Sequence, residues 1–159
     1  MGGVELSAAT AGVYVRHAFA QMLQVADRLG DEKVNERPVS PKTNAVAALM
    51  FHCCGVSEFW LGHVALGRPS TRDRAAEFSR TATVAELHAL VSDAEERTLR
   101  DIGLLEDGHG RDKEGGRQFL QAGDTSDAAV VLHVLEELYQ HLGHMELAAD
   151  ALAVSPSPP

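Results

Sequence analysis

The sequence predicts an all-α protein: a four-helix bundle in a single domain, with at least one long crossover connection. Three observations lead there. Apolar residues recur at three- and four-residue steps in four long segments, each bounded by glycine, proline or a capping residue. No stretch shows the apolar–polar alternation of a half-buried strand. Aromatic residues are only 5% of a chain that is 45% hydrophobic, so the core is expected to rest on Ala, Leu and Val. At 159 residues the chain is long enough to bury one proper core. There is no internal repeat.

The first helix is expected over residues 7–29, with Val13, Ala20, Leu23 and Ala26 among its inward positions and a stop at Gly30 and Asp31. The connector "DEKVNERPVSPKTN" holds two prolines and reads as loop. A second helix is expected from an N-cap at Thr43 or Asn44 to Gly67, with Pro69 just beyond. The segment "RPSTRDRAAEFSR" then reads as a surface connection. Thr83 with Glu86 three residues on has the spacing of a capping box and opens a third helix that runs to Gly103. The charged, glycine-rich "EDGHGRDKEGGR" reads as a mobile loop. A fourth helix is expected from residues 124–126 to about residue 152, so that residues 1–152 form the domain and 153–159 a disordered tail.

Composition excludes several function classes. A formal net charge of -9 argues against nucleic acid, because binding phosphates needs clustered Lys and Arg. No apolar run approaches the roughly 20 residues of a membrane span. The opening "MGGVELSAAT" has no basic segment followed by an apolar one, unlike a signal peptide. Cys53 and Cys54 are adjacent and form no disulfide framework. A cytoplasmic, soluble protein is expected.

The chemistry concentrates on the fourth helix, in "ELYQHLGHMEL". Val131, Leu135, Leu138, Leu142 and Met145 form its inward seam. At about 100° per residue, His141, Glu137, His144 and His133 fall on the flank of that seam rather than on the outer face. Positions i and i+4 stack along a helix, so Glu137 and His141 can point at one atom. A carboxylate oxygen with an imidazole nitrogen suits Zn²⁺, Ni²⁺ or Fe²⁺, although such a pair also occurs on helices that bind nothing. On the second helix His52 sits centrally in an apolar arc of Ala45, Ala48, Leu49, Val56 and Phe59. A buried imidazole needs a polar partner. Packing alone is one answer; a metal shared with the facing helix is the other. Three protein ligands would leave positions open, the pattern of a catalytic site rather than a closed structural one.

The segments "NAVAALMFHCCGVSEFWLGHVALGRP" and "HVLEELYQHLGHMELAAD" resemble the DinB superfamily of four-helix-bundle metalloproteins. The similarity is to the branch with mycothiol-dependent maleylpyruvate isomerase and the mycothiol or bacillithiol S-transferases. The resemblance implies a metal on His52, Glu137 and His141, the last two matching the Glu-x-x-x-His form of the mycothiol-using branch. It further implies that a low-molecular-weight thiol, mycothiol, is held by the metal as a nucleophile toward an electrophilic small molecule. His144, one turn from the site, is then the candidate acid or base. Arg68 and Arg72, with Arg74, are candidates to meet a carboxylate of the thiol cofactor or the substrate, since arginine forks suit that task; the plain alternative is solvated loop arginines.

Two other functions stay open at this point: a thiol-dependent isomerase, whose branch usually adds a C-terminal domain, and a non-catalytic metal- or small-molecule-binding stress protein. The remaining residues have quieter expectations. His63 lies too far along the helix to share the metal, His17 can approach a pocket mouth, and His88 and His109 are expected to be exposed. Cys53 is expected near the site and Cys54 on another face. Glu58 is read as a surface carboxylate and Trp60 as a core or interface aromatic. Aromatic residues near one end of the bundle make a homodimer the expected assembly.

Overall fold

The computed structural model describes residues 5–38, 42–111, 116–120 and 123–154. Helix α1 spans Ala8–Lys33, and α2 spans Val46–Ser57 and continues into a π-helical segment, Glu58–Ala65. A single turn, α3, spans Arg74–Glu77; α4 spans Val84–Glu106 and α5 spans Asp127–Val154, with a 3₁₀ turn at Arg117–Phe119 before it. Among the described residues there is no strand, and no helix is long and apolar enough to cross a membrane. The expected all-α bundle is present. Helix α5 runs through Val154, past the point expected for its end. The remaining tail, residues 155–159, and residues 112–115 of the glycine-rich loop lie outside the described residues.

Contacts between the helix ends give the topology. The Ala8 N–H donates to Glu106 Oε1 at 2.8 Å and the Val84 N–H to Asp31 Oδ1 at 2.6 Å, so α1 and α4 are antiparallel. Lys33 Nζ donates to the Leu152 carbonyl at 3.2 Å and Tyr139 to the Tyr14 carbonyl at 3.0 Å, so α1 and α5 are parallel. Helix α2 starts beside the end of α1, where the Ala47 N–H meets the Val34 carbonyl at 2.9 Å. Its π-helical end lies beyond the end of α4, where the Arg111 N–H meets the Ala65 carbonyl at 2.9 Å. Helices α2 and α4 are therefore parallel neighbours. The chain between two parallel neighbours must travel back the length of the first.

Residues 66–83 make that return along the outside of α2. Arg68 pairs with Glu58, Arg72 stands over Phe59, Phe78 packs on His52, and Arg80 lies over Phe51. The strap ends where the Ala82 N–H and carbonyl bond the Asn35 side chain. This explains why α2, "VAALMFHCCGVS", is apolar around most of its circumference: one side faces the bundle and the other the strap. The expectation of a surface connection for this segment is corrected by Glu77, only 5% exposed.

Several local expectations hold and two fail. Thr83 and Glu86 form a reciprocal capping box. Gly30 leaves helical geometry at φ 67°, ψ 177°, a left-handed φ that glycine adopts without a Cβ clash, and this is where the first helix was expected to stop. The α2 N-cap is Ala45 with no side-chain cap, rather than Thr43 or Asn44. On α1, Val13 and Ala20 face solvent; Val15, Ala18, Phe19 and Met22 fill the core instead. Ala26 is buried and Leu23 packs on the core as expected, so only part of the inward stripe differs from the one expected, where α1 packs into the groove between α4 and α5.

Candidate metal centre

Helix α2 carries His52 into the bundle at 3% exposure, where α5 presents Glu137 and His141. The α5 seam is as expected: Val131, Leu138, Leu142 and Met145 are buried and Leu135 is half-buried, which turns the flanking polar stripe toward α2. His52 Nε2 lies 3.6 Å from Glu137 Oε2, and His141 Nε2 lies 3.4 Å from the same oxygen. One donor atom from each of the three residues lies within 4.8 Å of the others. The His52 and His141 rings meet edge to face, with centroids 4.7 Å apart. The two imidazoles, His141 first and His52 second, hold the Glu137 carboxyl well below the usual carboxylate range, while burial opposes them. The group is therefore a carboxylate, the form that binds cations.

The far side of His52 has a partner that sequence reasoning missed. His52 Nδ1 lies 2.9 Å from Glu77 Oε2, both side chains being almost fully buried. Arg72 grips the same carboxylate through both oxygens, Nε to Oε1 at 2.6 Å and Nη2 to Oε2 at 2.9 Å. A carboxylate accepts and cannot donate, so Nδ1 turns a hydrogen to Glu77, and Nε2 is the nitrogen left to give a lone pair to a cation beside Glu137 and His141. Two imidazole nitrogens and a carboxylate oxygen, with the His52 ring held from behind by Glu77, are a donor set that fits Zn²⁺, Ni²⁺ or Fe²⁺. The one sequence signal for Glu77 was the unanswered partner of a buried imidazole. Nothing in the spacing of residues 68–80 identified which carboxylate would answer.

Two hollows flank the centre along the same stripe of α5. One, of about 600 Å³, is lined by His133, Glu136, Glu137 and Gln140 with Leu120 and Leu132. The other, of about 400 Å³, is lined by Leu49, His144, Leu147, Ala148 and Ala151 from the two facing helices, with Lys42 at its rim. Leu49 and His144 each lie three residues, about one turn, from His52 and His141 respectively. His144 is exposed, with its Nδ1 3.4 Å from Nδ1 of His141. His133 is half-buried, against Trp60 at 4.6 Å between ring centroids.

Of the three arginines named from the sequence, Arg68 and Arg72 are engaged within the fold and Arg74 is exposed. Arg68 donates to both oxygens of the buried Asp101, at 2.8 and 2.5 Å, and to Glu58 at 3.3 Å; Arg72 grips Glu77 as described. Glu58 is half-buried in that network rather than solvated. His63 donates to the Arg68 carbonyl at 2.6 Å and takes no part in the centre. His17 stacks on Tyr139, and His88 and His109 are exposed as expected. Both cysteines are free and buried. Burial first, then the Cys54, Glu137 and Glu77 charges, push the Cys53 thiol up. Burial pushes Cys54 up to about 12, with Arg97 opposing and Glu77 adding. Neither sulfur is a ready nucleophile.

A bundle of this topology, with a His–Glu–His cluster between facing helices, defines the DinB-like class of helical proteins. Within it the chain belongs to the mycothiol-S-transferase family, whose model matches residues 12–152 and so takes in all the residues of the centre. Searches among curated proteins and among solved structures found no match.

Proposed function

We propose that this protein transfers the thiol of mycothiol to a small electrophile, with one divalent cation held by His52, Glu137 and His141. The observation that carries the reading is the convergence of those three donors within 4.8 Å. A cation held there would supply the positive charge that lowers a thiol's pKa and keeps it ionised at neutral pH. Everything else falls to the protein's own residues.

Two substrates need two approaches; one hollow reaches Glu137 itself, and the other lies one turn along the helices at Leu49 and His144. The larger hollow, with His133, Glu136 and Gln140, offers hydrogen-bonding partners for the polar body of the thiol. The smaller one, with Leu49, Leu147, Ala148 and Ala151, suits the apolar body of an electrophile. The sulfur forms a bond to the electrophilic carbon as the leaving group departs with its bonding pair. His144 stands at the edge of the smaller hollow, where its imidazole can receive the thiol proton or deliver one to the leaving group. Arg72 is assigned to Glu77 and Arg68 to Asp101, so neither fork is given to a substrate.

The test is metal content of protein purified without a His-tag, beside His52→Ala, followed by conjugation of mycothiol to monobromobimane. The expected result is about one divalent ion per chain, lost in the variant, and conjugation above the background rate that stops when the ion is stripped. Protein that takes up neither Zn²⁺ nor Ni²⁺, and leaves conjugation at its background rate, would overturn the reading.

A further inference from the structure

We propose that Glu77, clamped by Arg72, is a positioning residue for the metal centre, and that Gly55 is glycine to make room for it. The inference rests on the metal reading above and assigns a role to a strap that otherwise merely connects α2 to α4.

The starting point is the choice His52 has. A free neutral histidine can carry its hydrogen on either ring nitrogen, and a ligand must present a bare one. Only the Nε2 edge of His52 faces Glu137 and His141. With the hydrogen on Nε2 the ring would have no lone pair to offer there. Glu77 Oε2, 2.9 Å from Nδ1, removes the choice. Arg72 Nη2 also stands 3.3 Å from Nδ1. It does not reverse the assignment, because a bare Nδ1 would face the lone pairs of the nearer carboxylate. A carboxylate behind a ligating imidazole also raises the basicity of the opposite nitrogen.

Glu77 would be a poor anchor if it moved, and three features stop it. Arg72 holds both of its oxygens in a charge-assisted fork. Asp73 caps the single turn that carries Glu77, accepting from the Ala76 N–H at 3.1 Å. Phe78, the next residue, packs on the His52 ring with centroids 4.9 Å apart.

Gly55 supplies an independent observation from another element. It lies within α2 at helical geometry, where glycine is a poorer helix former than alanine. A Cβ there would collide with Glu77 Oε1, and would lie 3.0 Å from the carboxyl carbon and 3.1 Å from Arg72 Nε. The helix gives up propensity one turn from His52, at the one place where the carboxylate and its clamp must come close.

The experiment uses the full chain and two readouts: Zn²⁺ affinity by competition with a chromogenic chelator, and the His52 ring-nitrogen shifts of the metal-free protein by ¹⁵N NMR. Glu77→Ala should weaken Zn²⁺ roughly 10–100-fold with its stoichiometry kept, and move the ring hydrogen from Nδ1 toward Nε2. Glu77→Gln keeps an acceptor oxygen, so it should hold the tautomer and lose less affinity. Gly55→Ala should reproduce the direction of Glu77→Ala although alanine is the better helix former. A merely structural role would lower thermal stability and leave both readouts where they were. Wild-type affinity together with an Nδ1-protonated His52 in Glu77→Ala and Gly55→Ala would overturn the proposal. Should Glu77→Ala fail to fold, Gly55→Ala and Glu77→Gln decide alone. Wild-type protein that takes no Zn²⁺ would instead sink the metal reading, while the ring-nitrogen shifts would still judge the positioning claim.

Discussion

Helix α5 and the strap of residues 66–83 both bring charge to His52, and they do so in different ways. On α5 the helical repeat does the work: Glu137 and His141, four residues apart, share a face whatever the rest of the chain does. Its neighbours His133 and His144 continue the same stripe, and the apolar seam beside it decides which way the stripe points. The strap has little regular structure beyond one turn. Its Arg68, Arg72 and Glu77 are placed by the side chains they meet, Asp101 and Glu58 at one end and His52 near the other. A repeating element can display several donors cheaply, since the backbone bonds already hold it. An irregular one must be anchored side chain by side chain, here by ion pairs, ring contacts and the Asn35 side chain, and so keeps its charges for itself.

That contrast can be broken by removing one member of each set. The largest effect is expected on the stripe: His141→Ala or Glu137→Ala should cost more Zn²⁺ affinity than the roughly 10–100-fold loss typical of an outer partner. Equilibrium competition would show this, and an equal loss for Glu77→Ala would erase the distinction between ligand and support. On the strap the main effect should be on stability. Arg68→Ala leaves Asp101, 1% exposed, as a buried unpaired carboxylate. The arginine side chain is itself 35% open to solvent, so about 2 kcal/mol of destabilisation is expected rather than the full cost of breaking a buried pair. Denaturant melts of metal-free protein would measure it, and Zn²⁺ affinity should stay close to wild type.

Where the strap hands over to α4, Thr83→Ala removes one side of the capping box and should cost about 1 kcal/mol, read in the same melts. The smallest signal comes from the sulfurs. Cys53 and Cys54 should react with a disulfide reagent such as 4,4′-dithiodipyridine only once the protein unfolds, because both are buried and their thiolates disfavoured. Fast reaction of Cys54 in the native protein would mean that the strap opens readily and is no fixed cover for α2.

The helices and most of the candidate centre were legible in the sequence because helical periodicity is a local property. The α5 seam, the Thr83–Glu86 cap and the break at Gly30 each follow from residues within a turn or two of one another. The same local reasoning placed Val13 and Ala20 inward on α1, and there it failed: an Ala-rich helix offers more than one apolar stripe, and the neighbours choose which is buried. Of the centre, His52, Glu137 and His141 could be named from spacing and resemblance, whereas Glu77 could not. Its contact with His52 spans 25 positions and exists only because α2 and α4 are parallel neighbours, which obliges the intervening chain to run back along α2. The sequence by itself determined which helices form and which donors share a face, since both rest on the hydrogen-bond geometry of one helix. Only the tertiary structure decided which carboxylate stands behind His52 and that Arg72 faces that carboxylate rather than solvent. Those pairings depend on the course of a strap whose path is set by packing, not by any repeat of its own.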